Sequence, residues 1–443
     1  MLVQPTYGSI WKIAYPVMIG SIATTVLNVT DTAFLGRVGE IELGASAIGG
    51  VLYFVLVMIG VAIGIGTQIL IARRAGEKKH AEIGRIFDHS FLIFSVLSVL
   101  LFAILKFVVP VLLPKLLSNS LVVQASVRFI EYRSYGIIFI LLATVFRSFY
   151  VGIAQPKVYG YYSFLMAAVN MLLGYLLIFG HGGFKQMGIA GAGLASSISE
   201  CAAFIFLGLY TWLKPGIREF RLFRFEKISG SLIRQNLELS APLVVQNILS
   251  MGAWFIFFVF IEKLGEHALA ISNITRGVYM INMTPIWGFM MASNSMVSNI
   301  IGQSRSSEVL PLVHRIIWLS LVVTFVMIVV NLVIPYQLLG LFTTDSKAMH
   351  DSFTLMRIVN AAMLFFAFAI VCISAVSGTG ATRTALLIEI VAISLYMVYI
   401  YLATFHFRLG VAYIWLSEIL YWLVTGVFSY VYIRSMRWKT ISI

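Results

Sequence analysis

The sequence predicts an all-α polytopic membrane protein with twelve transmembrane helices in two pseudo-symmetric six-helix bundles. Of its 443 residues, 60% are hydrophobic and 11% are charged, whereas about a quarter of the residues in a soluble globular protein are charged. The mean hydropathy is +0.95, and a helix needs roughly 20 apolar residues to cross about 30 Å of hydrocarbon. Twelve runs of this kind lie near residues 10–35, 47–72, 90–113, 131–152, 157–180, 188–213, 236–262, 275–300, 316–342, 355–378, 384–406 and 410–433.

The turn and kink residues of the first half reappear in the second half at one constant offset along the chain, without a gap. Since each half contains six spans, an even number, both halves enter the membrane from the same side and form parallel repeats. We therefore predict an N-terminal bundle over residues 1–213, a linker over 214–235 and a C-terminal bundle over 236–443. The aligned pairs are Pro16 with Pro242, Gly39-Glu40 with Gly265-Glu266, Gly76 with Gly302, Glu82 with Glu308, and Gly152 with Gly378.

The net charge of +13 is distributed as in a membrane protein. With a cytoplasmic N-terminus, Lys and Arg concentrate on the cytoplasmic connections, which is the positive-inside bias. We therefore expect both termini to be cytoplasmic and the basic linker to contact lipid headgroups, and we expect no nucleic-acid partner. Within this linker, Arg218–Ile228 alternates basic and aromatic residues and is either an interfacial segment or a plain connector. The basic residues after spans 2 and 6 are Arg73, Arg74, Lys78, Lys79, Arg85, Lys214, Arg218, Arg221, Arg224, Lys227 and Arg234.

Several other features limit the chemistry that the chain can perform. The first span is too long for a cleavable signal peptide, so we expect it to remain in the protein.

Cys201 and Cys372 are the only cysteines and both lie in apolar runs, which favours neither a metal site nor a redox site. The sequence has no Walker motif and no dinucleotide-binding glycine motif after a strand. Transport would therefore use an ion gradient, without a cofactor.

One acid lies inside the first apolar span. Asp31 is flanked by apolar residues, and its counterpart in the second half is Phe257. A carboxylate there costs about 3 kcal/mol unless it meets water, a proton or a cation. A lone acid in one of two pseudo-symmetric halves predicts the site of ion coupling; the alternative is a structural acid bonded to another helix. Asn28 and Thr32 are its polar neighbours on the same helix.

Other polar residues inside spans are candidates for the same chamber. Asn170 in span 5 and Ser196 in span 6 each offer a neutral oxygen as a ligand. The alternative for each is a hydrogen bond that joins two helices. Glu200, one turn beyond Ser196, either shares the chamber or tethers another helix. In the second half, Glu389 is close to Arg383 and is expected to form an ion pair at the end of its helix. Glu418 is a second coupling candidate.

Spans 7 and 8 are rich in aromatic and thioether side chains around Pro285. Such faces accept bulky apolar cations through cation–π contact and flexible sulfur packing. Lipid or core packing is the competing explanation for any single residue. The predicted substrate-binding residues are Asn28, Thr32, Phe257, Met283, Trp287 and Met290.

A group of motifs resembles one transporter family over essentially the whole chain. Together they are similar to the signatures of the multidrug and toxic compound extrusion (MATE) transporters. The motifs are Pro16 followed by Asp31, Phe34–Gly39 (FLGRVG), Gly44–Gly49 (GASAIG), Arg147 to Lys157, Gly188–Ser196 (GIAGAGLAS) and Gly378–Arg383 (GTGATR).

The resemblance implies two six-helix bundles around a V-shaped cleft, alternating access, and export of organic cations or amphipathic drugs against H⁺ or Na⁺. It implies that Pro16 bends helix 1, that Asp31 is the coupling acid with Asn170 as partner, and that Ser196 stands where a threonine is usual. It also implies a bacterial inner-membrane protein, which we expect to be a monomer.

Two departures from the family pattern favour protons over sodium. Many members carry a second acid four residues after the asparagine, where this chain has Gly174. A glutamate of helix 7 in one branch is absent, with Ser250 near its place, and this indicates the DinF-like branch.

Two alternatives remain at the level of sequence. A flippase for lipid-linked oligosaccharides would want several arginines inside the cleft, but here the arginines cluster near span ends. An intramembrane enzyme would want a His or an acid pair at catalytic spacing within a span, and the histidines lie in loops or at span ends. We therefore predict a transporter and not an enzyme.

Overall fold

The computed structural model describes residues 2–225, 228–441 and 443, and in this part of the chain all regular secondary structure is helical. The predicted all-α membrane fold is confirmed. The main helices are α1 (Tyr7–Val38), α2 (Glu40–Gly76), α3 (His80–Leu116), α4 (Ser120–Arg133 and Gly136–Gly152), α5 (Lys157–Phe179), α6 (Ile189–Leu213), α7 (Gly230–Glu262), α8 (Glu266–Gly302), α9 (Val309–Val333), α10 (Ser346–Gly378), α11 (Thr382–His406) and α12 (Val411–Arg434).

Ten helices of the described chain are long and apolar enough to cross a membrane, and the two segments of α4 together make an eleventh candidate. The twelfth predicted span, near residues 275–300, lies in α8, a helix of 37 residues with many polar side chains. Ser293 and Thr284 of α8 are buried, and their hydroxyls donate to the backbone carbonyls of Val371 (2.9 Å) and Met280 (2.9 Å). A polar helix can lie inside a membrane protein when its polar groups find such partners.

Several helices differ in their bounds from the predicted spans: α8 begins at Glu266 and α10 at Ser346, before the predicted starts near 275 and 355. Two further differences have a clear cause. Helix α3 begins at His80 instead of near residue 90, because its first turns carry Arg85, Asp88 and His89, whose polarity lowers the local hydropathy. The predicted fourth span consists of two helical segments that meet at an angle of 47°. The break places Arg133 at the end of the first segment and Gly136 at the start of the second, and both residues lie against Glu200, whose cluster is described below.

The chain forms two compact units. We call residues Ile19–Ser240 the N-terminal unit, and we call the residues up to Met18 together with Ala241–Ile443 the C-terminal unit. The boundaries fall inside α1, two residues after Pro16, and inside α7, next to Pro242. Each of these long helices therefore contributes its first turns to one unit and its remainder to the other.

Side-chain hydrogen bonds hold the first turns of both helices in their units. In the C-terminal unit, the Val3 amide donates to Asn299 Oδ1 (3.1 Å), and Gln303 Nε2 donates to the Val3 carbonyl (3.0 Å). In the N-terminal unit, Asn236 Nδ2 donates to Thr67 Oγ1 (3.0 Å) and to Ser90 Oγ (2.8 Å). The start of α1 and the start of α7, which correspond in the repeat, are thus each held by the side-chain amide of a buried asparagine.

The predicted linker, residues 214–235, belongs to the N-terminal unit, although Glu226 and Lys227 lie outside the described residues. The Asp88 carboxylate accepts hydrogen bonds from the backbone amides of Phe223 (2.7 Å), Arg224 (3.0 Å) and Phe225 (2.9 Å). His89 Nε2 accepts one from the Ser229 amide (2.8 Å). These bonds fix the linker on the start of α3.

Candidate functional site

The N-terminal unit brings three of the predicted coupling residues together. Asp31 of α1 accepts a long hydrogen bond on Oδ2 from Ser196 Oγ of α6 (3.5 Å). Asn170 of α5 donates from Nδ2 to the same Ser196 hydroxyl (3.0 Å). Three helices therefore contribute one polar side chain each to a small chamber.

Two oxygens of this chamber have no hydrogen-bond donor among the described residues. They are Asp31 Oδ1 and Asn170 Oδ1, and both are buried. Buried polar atoms nearly always form a hydrogen bond, so an oxygen without a donor indicates a site for a further group such as an ion or water. Two acceptors without donors suit a group that donates hydrogen bonds or brings positive charge, such as water, a proton or a metal cation.

Phe34 limits what else the chamber can contain. It lies three residues after Asp31, on the same side of α1. A Cβ atom built on Gly174 would lie 3.5 Å from the Phe34 ring, and this ring also contacts Phe179 with centroids 5.6 Å apart. The position at which the family often places its second acid is therefore lined by aromatic carbon in this protein.

Glu200 belongs to a separate cluster with Arg133. The Arg133 guanidinium donates two hydrogen bonds to the Glu200 carboxylate (2.6 and 2.7 Å), and the Tyr53 hydroxyl donates a third (2.8 Å). The guanidinium also lies 3.7 Å from the Tyr53 ring centroid. A Cβ at Gly136 would lie 2.0 Å from Glu200 Oε2, so the break in α4 needs glycine to admit the carboxylate. The charge of Glu200 is thus compensated by its own partner.

Arg133 and Glu200 both act electrostatically on Asp31, with opposite signs. Arg133 is one of the arginines that the sequence places near span ends, and sequence reasoning missed its pairing with Glu200. The available signal was Gly136, three residues later, where the span is interrupted. Together these residues set the field around Asp31 without contributing a direct hydrogen bond to it.

The predicted ion pair between Glu389 and Arg383 is wrong. Glu389 is 2% exposed and accepts hydrogen bonds from the hydroxyls of Ser250 in α7 and Tyr421 in α12. Neither Glu389 nor Glu418 forms an ion pair within the described ranges. The residue lies on the inward face of α11, and an apolar sequence gives no indication of that orientation.

Glu418 is buried in the C-terminal unit. Its carboxylate accepts hydrogen bonds from the hydroxyls of Tyr279 (3.1 Å) and Tyr396 (2.9 Å) and from Trp422 Nε1 (3.3 Å). All three partners are uncharged. Among the described residues, no three His, Cys, Asp or Glu side chains are grouped so as to hold a metal ion.

The predicted substrate-binding residues differ in their exposure. Phe257 is fully buried, where its ring contacts those of Tyr396 and Trp415, so it forms part of the core in this conformation. Trp287 is 36% exposed. The remaining members have exposed or half-buried side chains: Asn28 and Thr32 on α1, and Met283 and Met290 on α8.

Comparison with a protein-family model decides the family. The model described as MatE matches residues 16–176 and again residues 242–402. The chain belongs to the MatE family. The two matched ranges are equally long and begin at the aligned prolines Pro16 and Pro242, which confirms the repeat found in the sequence. Together with the apolar helices, this membership makes the chain an integral membrane protein.

Curated relatives and solved structures agree with this membership. The chain is 26% identical over 267 residues to the probable multidrug resistance protein NorM of Mesorhizobium japonicum, an alignment that covers 58% of this chain and 57% of that relative's length. It is 21% identical to the probable multidrug resistance protein NorM of Thermotoga maritima, over 97% of this chain and 92% of the relative.

Among solved structures, the chain resembles one described as the outward-facing conformation of a multidrug resistance MATE family transporter. The TM-score is 0.91 at 18% identity, and the match covers 98% of this chain and 97% of the other. A transporter from Pyrococcus furiosus gives a TM-score of 0.90 at 18% identity, covering 98% of this chain and 96% of the other. At these identities the likeness concerns the fold.

Proposed function

We propose that this protein is a secondary active antiporter that exports organic cations or other amphipathic drugs in exchange for protons bound at Asp31. Its relatives carry the names of multidrug resistance proteins. The observation that carries the proposal is the chamber of Asp31, Asn170 and Ser196, in which two buried oxygens lack a donor. A transporter with this coupling has no catalytic residues and is not an enzyme.

The composition of the chamber favours a proton over sodium. A dehydrated Na⁺ needs several oxygen ligands to replace its hydration shell. The chamber supplies one carboxylate, one amide oxygen and one hydroxyl, and the Phe34 ring occupies the side next to Gly174. A proton needs only the carboxylate, and it would supply a hydrogen to a pair of acceptors that has none.

The charge of Asp31 would link ion binding to the movement of α1. As a carboxylate, Asp31 attracts a cationic substrate and the Ser196 hydroxyl. Once protonated, it loses most of this attraction, so α1 is free to bend at Pro16, where proline removes a backbone hydrogen bond. If the bent and the straight form of α1 bind the proton with different affinity, a proton gradient shifts the balance between them. This shift would drive alternating access.

Orientation and substrate contacts complete the proposal. We infer that both termini are cytoplasmic, that the membrane is the bacterial inner membrane, and that the chain belongs to the DinF-like branch and acts as a monomer.

The exposed Trp287 and the half-buried Met283 and Met290 offer aromatic and sulfur contacts to an organic cation.

The experiment is efflux of a fluorescent organic cation from vesicles that contain the purified protein, under either a pH gradient or a Na⁺ gradient. We expect export with the pH gradient alone and loss of export to background in Asp31→Asn. The matched control is Asp351→Asn, the same substitution at an exposed aspartate that pairs with His267, which should export like the wild type. Strong export driven by Na⁺ at symmetric pH would overturn proton coupling.

A further inference from the structure

The C-terminal unit contains two buried carboxyl groups that the mechanism above does not use. Glu389 of α11 is 2% exposed and Glu418 of α12 is 3% exposed. A buried carboxylate without a cationic partner is costly, because its desolvation is not repaid by an opposite charge. The partners of each group therefore indicate which charge state the site supports.

Glu200 and Glu418 differ in the chemistry of their partners. Arg133, which holds Glu200, carries a fixed positive charge and donates one hydrogen bond to each carboxylate oxygen of Glu200. Tyr279 and Tyr396, which hold Glu418, carry hydroxyls that donate or accept. The tyrosine contacts of Glu418 therefore persist when it gains a proton, whereas the paired contact of Arg133 with both oxygens of Glu200 suits only a carboxylate.

The contacts of Glu389 lead to the same conclusion. The Ser250 hydroxyl has one hydrogen and two acceptors in reach, the Gln246 carbonyl (2.9 Å) and the Glu389 carboxyl. When that hydrogen goes to Gln246, the Ser250 oxygen can only accept. A protonated Glu389 supplies the missing donor. A neutral carboxyl satisfies both contacts of the serine, and a carboxylate satisfies only one of them at a time.

Two adjacent tyrosines connect the acids. Tyr421 donates to Glu389 and Tyr396 donates to Glu418, and the two rings lie 5.5 Å apart by their centroids. Along α11, Tyr396 follows Glu389 by two turns, which corresponds to about 10 Å of helix rise. The two acids are therefore separated by a pair of contacting rings that carry hydroxyl groups.

Among the described residues, the hydrogen-bond partners and electrostatic neighbours of the pair carry no fixed charge. The titratable groups are the three tyrosines, which are neutral near physiological pH, and every other neighbour is polar or apolar without charge. The neighbours are Gln246, Ser250 and Trp254 of α7, Tyr279 of α8, Phe366 of α10, Tyr396 of α11, and Tyr421 and Trp422 of α12.

We propose that Glu389 and Glu418, linked through Tyr421 and Tyr396, form a second proton-binding site in the C-terminal unit. Both acids carry a proton at neutral pH. The role of the site in transport rests on the proposed antiport: the pair exchanges a further proton in each cycle, in addition to the one at Asp31. The protonation itself does not depend on transport.

The first test is infrared spectroscopy of the purified wild-type protein and of Glu389→Gln and Glu418→Gln, in lipid nanodiscs at neutral pH. The C=O stretch of a protonated carboxyl lies at a higher frequency than the stretches of a carboxylate or an amide. We expect each variant to lose one component of this band, and Asp351→Asn to lose none. Tyr396→Phe keeps both acids, so it should shift the Glu418 component without removing it. Unchanged bands in both glutamine variants of the folded protein would overturn the proposal.

The second test separates this site from the antiport. The ratio of protons to exported cation is obtained from the pH gradient that just opposes a fixed cation gradient. We expect the ratio to fall by one in Glu418→Gln. An unchanged ratio would overturn the role of the site in transport. Should Asp31→Asn still exchange cations for protons, the proposed function fails, while the infrared result for the two glutamates stands independently.

Discussion

The Asp31 chamber of the N-terminal unit and the corresponding positions of the C-terminal unit differ in chemistry although they occupy equivalent places in the repeat. In the alignment that pairs Pro16 with Pro242, Asp31 corresponds to Phe257 and Asn170 corresponds to Tyr396. The first pair lies in a polar chamber with unpaired oxygens, whereas the second pair is a stack of rings with centroids 6.0 Å apart. At these positions one half has two buried oxygens without a donor among the described residues, and the other half has packed aromatic rings.

A third pair of equivalent residues shows what both halves share. Tyr53 and Tyr279 are also aligned by the repeat, and each donates to a buried glutamate, Glu200 in one unit and Glu418 in the other. Only Glu200 has an arginine partner among the described residues. The repeat has therefore preserved the tyrosine contact and changed the charge balance around it.

The largest expected effect comes from placing an acid in the aromatic position. Phe257→Asp removes a fully buried ring, and truncations of buried Phe cost about 3–5 kcal/mol before any charge is added. We expect the variant to unfold at a much lower temperature in detergent, while the control Phe257→Leu loses less. A variant of wild-type stability would show that the two positions are interchangeable.

The second prediction concerns the cation that only the N-terminal unit has. Arg133→Met leaves Glu200 buried and unpaired, which costs about 3–5 kcal/mol. Glu418→Gln only exchanges neutral hydrogen bonds and should cost about 1 kcal/mol. Thermal unfolding of both variants measures the difference. The double variant Arg133→Met/Glu200→Gln should recover most of the loss, and failure to recover would mean that Arg133 stabilises through packing alone.

A third variant sharpens the argument on the coupling ion. Gly174→Asp adds a second carboxylate beside the chamber, and the Cβ fits at ordinary contact distance from Phe34. A second negative charge favours a metal ion, so we expect Na⁺ to raise the unfolding temperature of this variant modestly. The neutral control Gly174→Asn should show no sodium effect. Equal responses of both variants would separate sodium binding from the added charge.

The smallest effect is expected at Trp287, which is exposed on α8. Trp287→Ala removes a stacking surface for bulky cations, worth about 1 kcal/mol or more per contact. Export of large aromatic cations should fall several-fold, while export of small ones and the proton dependence stay close to wild type. A uniform loss for all substrates would indicate a folding defect instead.

Sequence reasoning predicted the helices, the repeat and the grouping of Asp31 with Asn170 and Ser196. A charged group within an apolar span is conspicuous, and the few polar side chains of neighbouring spans are its natural partners. The burial of Phe257 and the pairings of Glu200 and Glu389 were not predictable in this way. Helices that are apolar on every side have no periodic pattern that shows which face points inward, so only packing reveals those contacts.

The central claim is that Asp31 exchanges a proton for a cationic substrate. The most direct test measures proton release when an organic cation binds to the purified protein in weakly buffered detergent solution. We predict release from the wild type and from Asp351→Asn, and from Asp31→Asn a release smaller by the one proton that Asp31 holds. Equal release from Asp31→Asn and the wild type, with substrate still bound by both, would contradict the assignment of the coupling proton to Asp31.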